Sequence, residues 1–229
     1  MSGRTTVSSY WNYQINRNYL VMSTKIKGKI AVAIEEHFDE TEYRRFNQFF
    51  PEHGYEVEYI SNLWNQPQLT FKGNDHEEEA VVTIDFKDVS PDDYNGIILI
   101  GGYAMDRLRY QPSVVAGQEN KAPAVEFLRK AVAMMDRDTL KIGTICHSMW
   151  LFCADPELLE GREVTCAHNI ICDVENAGGI IIYEGNETAA TYIDGSLITG
   201  RHPGVVEEFM QVFLEEVNKN EREIQTVSN

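Results

Sequence analysis

Basic residues are scarce in this sequence: 20 Lys and Arg stand against 36 Asp and Glu, a formal net charge of -16 at pH 7. No run of Lys or Arg is long enough to track a phosphate backbone, so neither nucleic acid nor an anionic membrane surface is an expected partner. Long apolar runs are missing too. No stretch approaches the ~20 residues a membrane helix needs, and the N-terminus lacks the continuous apolar segment of a secretory leader. The expected location is the cytoplasm. Cysteine is sparse: Cys146, Cys153, Cys166 and Cys172 follow one another at spacings of 7, 13 and 6, which make neither a CxxC zinc knuckle nor a dense disulfide framework. Free thiols are expected, three of them as small buried hydrophobes. No metal cluster and no phosphate-binding glycine loop is evident, so no cofactor or metal is expected.

What is present is a globular pattern. With 43% hydrophobic residues over 229 positions, one large α/β domain is the default. It is expected over 28–220, between an N-terminal extension (1–27) with aromatics at Tyr10, Trp11, Tyr13 and Tyr19 and a tail (221–229). KIAVAI from Lys29 reads as a buried strand, Thr41 to His53 as a helix and YEVEYIS as a second strand. After a polar stretch (62–79) come VVTIDF, a helix start at Ser90-Pro91, a strand from Gly96 to Ile100, and an insertion from Tyr110 to Pro123. Then follow a helix from Ala124 to Met135, the strand KIGTI ending at Ile145, and a helix beginning HSMWLF. EVTCA, GGIIIYE, a hairpin at Asp194-Gly195 and an amphipathic helix from Val205 to Val217 complete the chain. Apolar strands alternating with helices predict a mostly parallel sheet covered on both faces, with an antiparallel edge near the end.

In such sheets ligands gather beyond the carboxyl ends of the strands. Three segments lie there: HFDETE (37–42), GGYAMDR (101–107) and CHS (146–148). A strand running straight into Cys146 and then a helix sets the sulfur near helical N–H groups and a positive dipole end, both of which lower a thiol pKa. A packing role fits a cysteine at that place equally well. Gly101-Gly102 offers a backbone that approaches a ligand without Cβ interference, although it is also an ordinary turn. The N–H groups of Gly102 and His147 can serve a substrate oxyanion.

KIGTICHS, LIGGYAMDRLR and FDETE together resemble the three signature segments of the ThiJ/PfpI superfamily, which includes glyoxalase III enzymes, proposed deglycases and intracellular proteases. The resemblance spans about residues 27 to 218 and implies a flavodoxin-like, class I glutamine amidotransferase-like α/β fold. It implies that Cys146 is the nucleophile, with His147 beside it, and that the buried glutamate touching the sulfur is Glu42, twelve residues ahead of Gly54. A protonated Glu42 would donate to the thiolate. Asp106 stands where the protease-like branch has a glutamate that reaches the histidine across a subunit boundary, and it is shorter by one methylene. His168 lies near a pocket histidine of some relatives. Arg201 matches a late arginine that either anchors an ion pair or meets substrate. His202, in GRHPG, resembles the His-Pro-Glu segment of class I glutamine amidotransferases, but Gly204 stands in place of the acid, which disfavours that activity; His202 remains a pocket candidate.

The resulting expectation is a cysteine-dependent enzyme acting on a small reactive carbonyl, glyoxalase III-like and independent of glutathione, or a related deglycase. A cysteine hydrolase, peptidase or amidase is the enzymatic alternative, and an oxidative-stress sensor or chaperone the non-enzymatic one. The expected partners are a small-molecule substrate and copies of the same chain, in a dimer or hexamer.

Overall fold

The computed structural model describes residues 26–227, with side chains up to Lys219; the N-terminal extension up to residue 25 and the last two residues of the expected tail lie outside them. Seven strands form the main sheet: β1 (Gly28–Ala33), β2 (Tyr55–Ser61), β3 (Ile84–Asp85), β4 (Gly96–Leu99), β5 (Lys141–Ile145), β6 (Thr191–Asp194) and β7 (Leu197–Gly200). Their order is β6-β7-β5-β4-β1-β2-β3. All neighbours are parallel except β6 and β7, the hairpin turning at Gly195. The mostly parallel sheet with helices on both faces matches the sequence expectation. Its central strands are apolar throughout because neither face meets water: Ile30 to Ala33, Ile97 to Leu99 and Ile142 are all buried.

Helix α1 (Glu40–Glu52) begins one residue earlier than the pattern predicts, because Asp39 is its N-cap and accepts from the Glu42 N–H at 3.0 Å. Its buried residues Glu42, Phe46 and Phe50 recur every fourth position, so they share one face. That face meets α5 (Val206–Val227) through Phe46 against Phe209 (6.4 Å between centroids) and Phe50 against Phe213 (6.1 Å). All four rings are fully buried, each contributing about 2 kcal/mol of transfer free energy. α5 runs well past the expected end at Val217 and carries the chain through most of the expected tail. Between them in sequence lie α2 (Ala104–Leu108), α3 (Pro123–Met135) and α4 (Ile171–Asn176); neither α2 nor α4 was anticipated. The insertion 110–123 is an exposed loop pinned by Asn120, whose side chain donates to the Arg109 carbonyl and accepts from the Ala122 N–H, both at 2.8 Å.

Three expectations are corrected. After Cys146 the chain forms 3-10 turns (Ser148–Trp150, Phe152–Ala154) where an α-helix was expected. Ser148 and Leu151, and Met149 and Phe152, are buried in pairs three apart, while His147, Trp150 and Cys153 stay partly exposed, which is the period of a 3-10 helix. Ser90-Pro91 likewise opens a single 3-10 turn, Pro91–Asp93. VVTIDF is divided: Val81 and Val82 belong to an antiparallel hairpin (Leu69–Lys72 with Glu79–Val82), and Ile84 and Asp85 form β3. The hairpin latches onto the turn before α1, where His37 N–H donates to Lys72 O at 2.7 Å and Asn74 N–H to Phe38 O at 2.9 Å.

Candidate active site

β1, β4 and β5 are neighbours in the middle of the sheet, so the turns at their carboxyl ends converge. At the end of β5, Cys146 has φ +59°, a left-handed conformation that costs a non-glycine residue about 1–3 kcal/mol and persists only where its surroundings impose it. They do so through four hydrogen bonds. Cys146 N–H donates to Gly200 O at 2.9 Å, Ala167 N–H to Cys146 O at 3.1 Å, and Trp150 N–H to His147 O at 3.1 Å. Ser148 Oγ accepts from Ile145 N–H at 2.7 Å. The cysteine is 4% exposed.

Gly101 separates that cysteine from Glu42. Its N–H donates to Glu42 Oε2 at 2.7 Å. A Cβ on Gly101 would lie 2.7 Å from Glu42 Oε1 and 2.9 Å from Cys146 Cβ, closer than such atoms approach, so only glycine fits between the two. Gly102 has φ +72°, and a Cβ there would lie 2.3 Å from His37 O. The N–H groups of Gly102 and His147 serve the Cys146 sulfur, favouring its thiolate. Gly101 N–H is committed to Glu42, whereas the N–H groups of Gly102 and His147 stand beside the sulfur, where the sequence expects oxyanion donors.

Burial and neighbouring negative charge push the acidic groups here upward. Burial, then the charge of Asp39, holds Glu42 well above the usual carboxylate range, against the pull of the Gly101 N–H. Burial also raises Cys146, followed by the charges of Glu42 and Asp39. Asp39 is raised by burial and restrained by the N–H groups of Glu42 and Thr41. Glu42 and Cys146 therefore lose protons as a coupled pair, and ionising both is strongly disfavoured. With Glu42 protonated its charge no longer opposes the thiolate. Glu42 Oε1, buried with no hydrogen-bond partner among the described residues, is then the oxygen free to carry that proton. The thiol-lowering helix dipole expected from sequence is weaker than anticipated, because only short 3-10 turns follow the cysteine.

His147 Nδ1 lies 3.0 Å from Cys146 Sγ. Burial lowers its pKa, with Asn169 and Asp39 pulling upward and His202 downward, so the ring is neutral near neutral pH. Its Nε2 is buried, with the Asn169 side chain nearby and no carboxylate on it among the described residues. Tyr103 stacks on the ring at 5.9 Å and 21°, and Trp150 packs against it at 5.1 Å. Asp106 does not orient His147 within the chain. It sits on the exposed side of α2, three residues before Arg109, and binds that guanidinium, with Nε at 2.9 Å.

The remaining expected residues meet in a cleft of about 340 Å³ lined by His168, Glu187, Arg201, His202 and Val205. It adjoins the cysteine turn through the hydrogen bonds from Cys146 to Gly200 and from Ala167 to Cys146. Arg201 is an anchor: Nη1 contacts Glu187 Oε2 at 2.5 Å and Thr188 O at 2.8 Å. His202 Nδ1 accepts from Gly204 N–H at 3.0 Å, and the ring lies near enough to act electrostatically on His147 and Asp39. His168 is exposed at the start of a 3-10 turn. A second cleft of about 430 Å³ lies between Glu35, Trp64, Arg107 and Tyr110, so the insertion shapes it through its first residue. All four cysteines are free; burial pushes Cys153 up to about 11 and Cys166 up to about 12. Among the described residues no group of His, Cys, Asp and Glu is arranged to hold a metal ion, and no helix is long and apolar enough to cross a membrane.

The sequence pointed to Asp39 as a helix-start residue but not to its charge acting on Glu42 and Cys146, and it left Tyr103, Trp150 and Asn169 out of the site. Trp150 lies one 3-10 turn beyond His147. Tyr103 and Asn169 carried no local signal.

A strained cysteine ending a central strand, with a glutamic acid across a glycine and a histidine on its sulfur, defines a cysteine-elbow protein on a flavodoxin-like sheet. The sequence profile of the DJ-1/PfpI family matches residues 28–216, and the chain belongs to that family. General stress protein 18 of Bacillus subtilis is 26% identical over 181 residues, 79% of this chain and 92% of that protein. An uncharacterized protein of Staphylococcus haemolyticus is 24% identical over the same shares. Among solved structures, Schizosaccharomyces pombe DJ-1 superposes with a TM-score of 0.64 at 17% identity, covering 85% of this chain and 97% of that one. A two-domain protein of Anabaena variabilis with DJ-1/ThiJ/PfpI-like and ferritin-like domains gives 0.70 at 23% identity, covering 84% of this chain and 48% of that one, so this chain spans about half its length. At these identities the shared property is the fold.

Proposed function

We propose that the protein is a cysteine-dependent enzyme that converts a small 2-oxoaldehyde such as methylglyoxal into the 2-hydroxy acid without glutathione. The observation that carries this reading is the burial of Cys146, 4% exposed, beside a carboxyl whose pKa burial raises and an imidazole, 3.0 Å from the sulfur, whose pKa burial lowers. The sulfur adds to the aldehyde carbon, and the thiol proton ends on the aldehyde oxygen, giving a hemithioacetal. A base then removes the remaining hydrogen of that carbon as a proton, and a proton is delivered to the neighbouring carbon. The first carbon is thereby oxidised to a thioester and the ketone reduced to an alcohol, so no outside oxidant or reductant is required. Water cleaves the thioester, releasing the hydroxy acid and restoring the thiol. His147 suits the base role because it is neutral and touches the sulfur. Glu42 suits proton delivery because its free oxygen flanks the cysteine.

A peptidase reading is less well supported, since a peptide needs an open groove and no acid stands behind His147 Nε2 among the described residues. In our reading the protein is cytoplasmic and works as a homo-oligomer on a small-molecule substrate. The test is to incubate the protein and its Cys146→Ser variant with methylglyoxal, casein and simple amides. Hydroxy acid from the aldehyde alone, abolished by the substitution, is expected. Release of peptides or ammonia instead favours the hydrolase, and a reactive Cys146 with no product at all favours an oxidation sensor.

A further inference from the structure

A histidine that acts as a base must be held toward the reacting atoms, and in hydrolytic triads a carboxylate on the far nitrogen does this. Among the described residues of a single chain no carboxylate meets His147: Nε2 is buried, the neighbouring polar side chain is the amide of Asn169, and Asp106 is bound to Arg109. Its ring is instead one side of a closed triangle of rings. Tyr103 lies 5.9 Å from His147 at 21°, Trp150 lies 5.1 Å from His147, and Tyr103 and Trp150 are 5.9 Å apart. Trp150 is fixed from two further directions, with Nε1 donating to Asp173 Oδ2 at 2.9 Å and the Arg109 guanidinium 5.6 Å over its face.

We propose that Tyr103 and Trp150 are positioning residues of His147, fixing the tilt of the imidazole by stacking, and that within the chain Asp106 and Arg109 act on the histidine through Trp150. This rests on the catalytic reading above for its kinetic consequence, but the positioning itself is a property of the resting protein. Two planar neighbours fix the tilt of the imidazole while leaving Nδ1 on the sulfur. Tyr103, 54% exposed, is the outer wall of the stack, so its replacement tests the idea without emptying the core. The other groups acting on the ring are Cys146, Asp39, His202 and Asn169.

The test uses the full chain with Trp11→Phe and Trp64→Phe, which leaves Trp150 as its one tryptophan. An imidazolium in contact quenches indole emission, so a pH titration of Trp150 fluorescence reads His147 directly; His147→Asn supplies the control without the inflection. Tyr103→Phe is expected to preserve both the inflection and turnover. Tyr103→Ala is expected to move the inflection up toward the ordinary histidine value and to lower kcat on methylglyoxal by roughly tenfold to a hundredfold with KM little changed. An unchanged inflection and kcat in Tyr103→Ala overturns the proposal. Equal damage from Tyr103→Phe does so too, since the hydroxyl would then be the active part. If the unsubstituted protein turns over no aldehyde, the catalytic reading fails, and the fluorescence arm alone still decides whether Tyr103 holds the ring.

Discussion

Glu42 and Cys146 meet across Gly101, each so close to that glycine that a single methyl group would collide with both side chains. The relationship explains why a carboxylic acid is tolerated at a position fully removed from water: one oxygen takes the Gly101 N–H and the other lies across the same glycine from Cys146. It also makes Gly101 as much a part of the site as the residues that carry the chemistry.

Gly101→Ala therefore forces Glu42 or the Cys146 backbone to move. Overpacking of this kind costs about 1–3 kcal/mol, to be read from denaturant unfolding. Turnover should fall further than stability, because the displaced groups are the reacting ones.

Glu42 gives a prediction with a definite sign. Its folded pKa lies well above the ordinary 4.5, so the stability it contributes is complete below about pH 4.5 and is lost as pH rises toward the folded value. Glu42→Gln cannot titrate. Its melting temperature relative to the parent should be lowest at acid pH and should improve steadily toward mildly alkaline pH. Turnover in the same variant should drop roughly a hundredfold or more, since an amide cannot deliver the proton. A melting difference independent of pH would show that Glu42 is not held protonated.

His147 is shifted the other way. Burial lowers its pKa below the ordinary 6.5, so the unfolded chain takes up the proton first and stability falls as pH drops through that value. The acid limb of kcat/KM should accordingly have its inflection below 6.5, and the cysteine alkylation profile should share it.

Asp106 separates the stacked arrangement from a triad. In a hydrolytic triad, neutralising the acid costs on the order of 10⁴ in rate. Asp106→Asn should cost no more than a few-fold here, because that side chain touches Arg109 and not His147. A loss of triad size would place an Asp106 from another copy of the chain against the histidine.

Much of the fold was legible because strand burial writes itself as continuous apolar runs such as KIAVAI and KIGTI. Cys146, ending such a run, stood out for the same reason. Glu42 could have been identified by periodicity alone, since it continues the Phe46 and Phe50 face by one helical turn. Less was legible where partners are remote in sequence. His147 is held by Tyr103 from another strand end and by a 3-10 turn that apolar composition made look like an α-helix. Asp106 carried the right charge in the right segment, but which side of a five-residue helix faces the site depends on packing that Ala104, Met105 and Leu108 decide together.

The central claim is that the Cys146 sulfur becomes covalently bonded to the substrate carbon during turnover. Rapid acid quenching of the protein with methylglyoxal, followed by peptide mass spectrometry, tests it most directly. A hydroxyacyl group, isomeric with the hemithioacetal, is expected on the Cys146 peptide and absent from Cys146→Ser; in Glu42→Gln and His147→Asn it should be depleted, because both residues act in forming it. Hydroxy acid formed at full rate with no adduct on Cys146, or undiminished in Cys146→Ser, would contradict it.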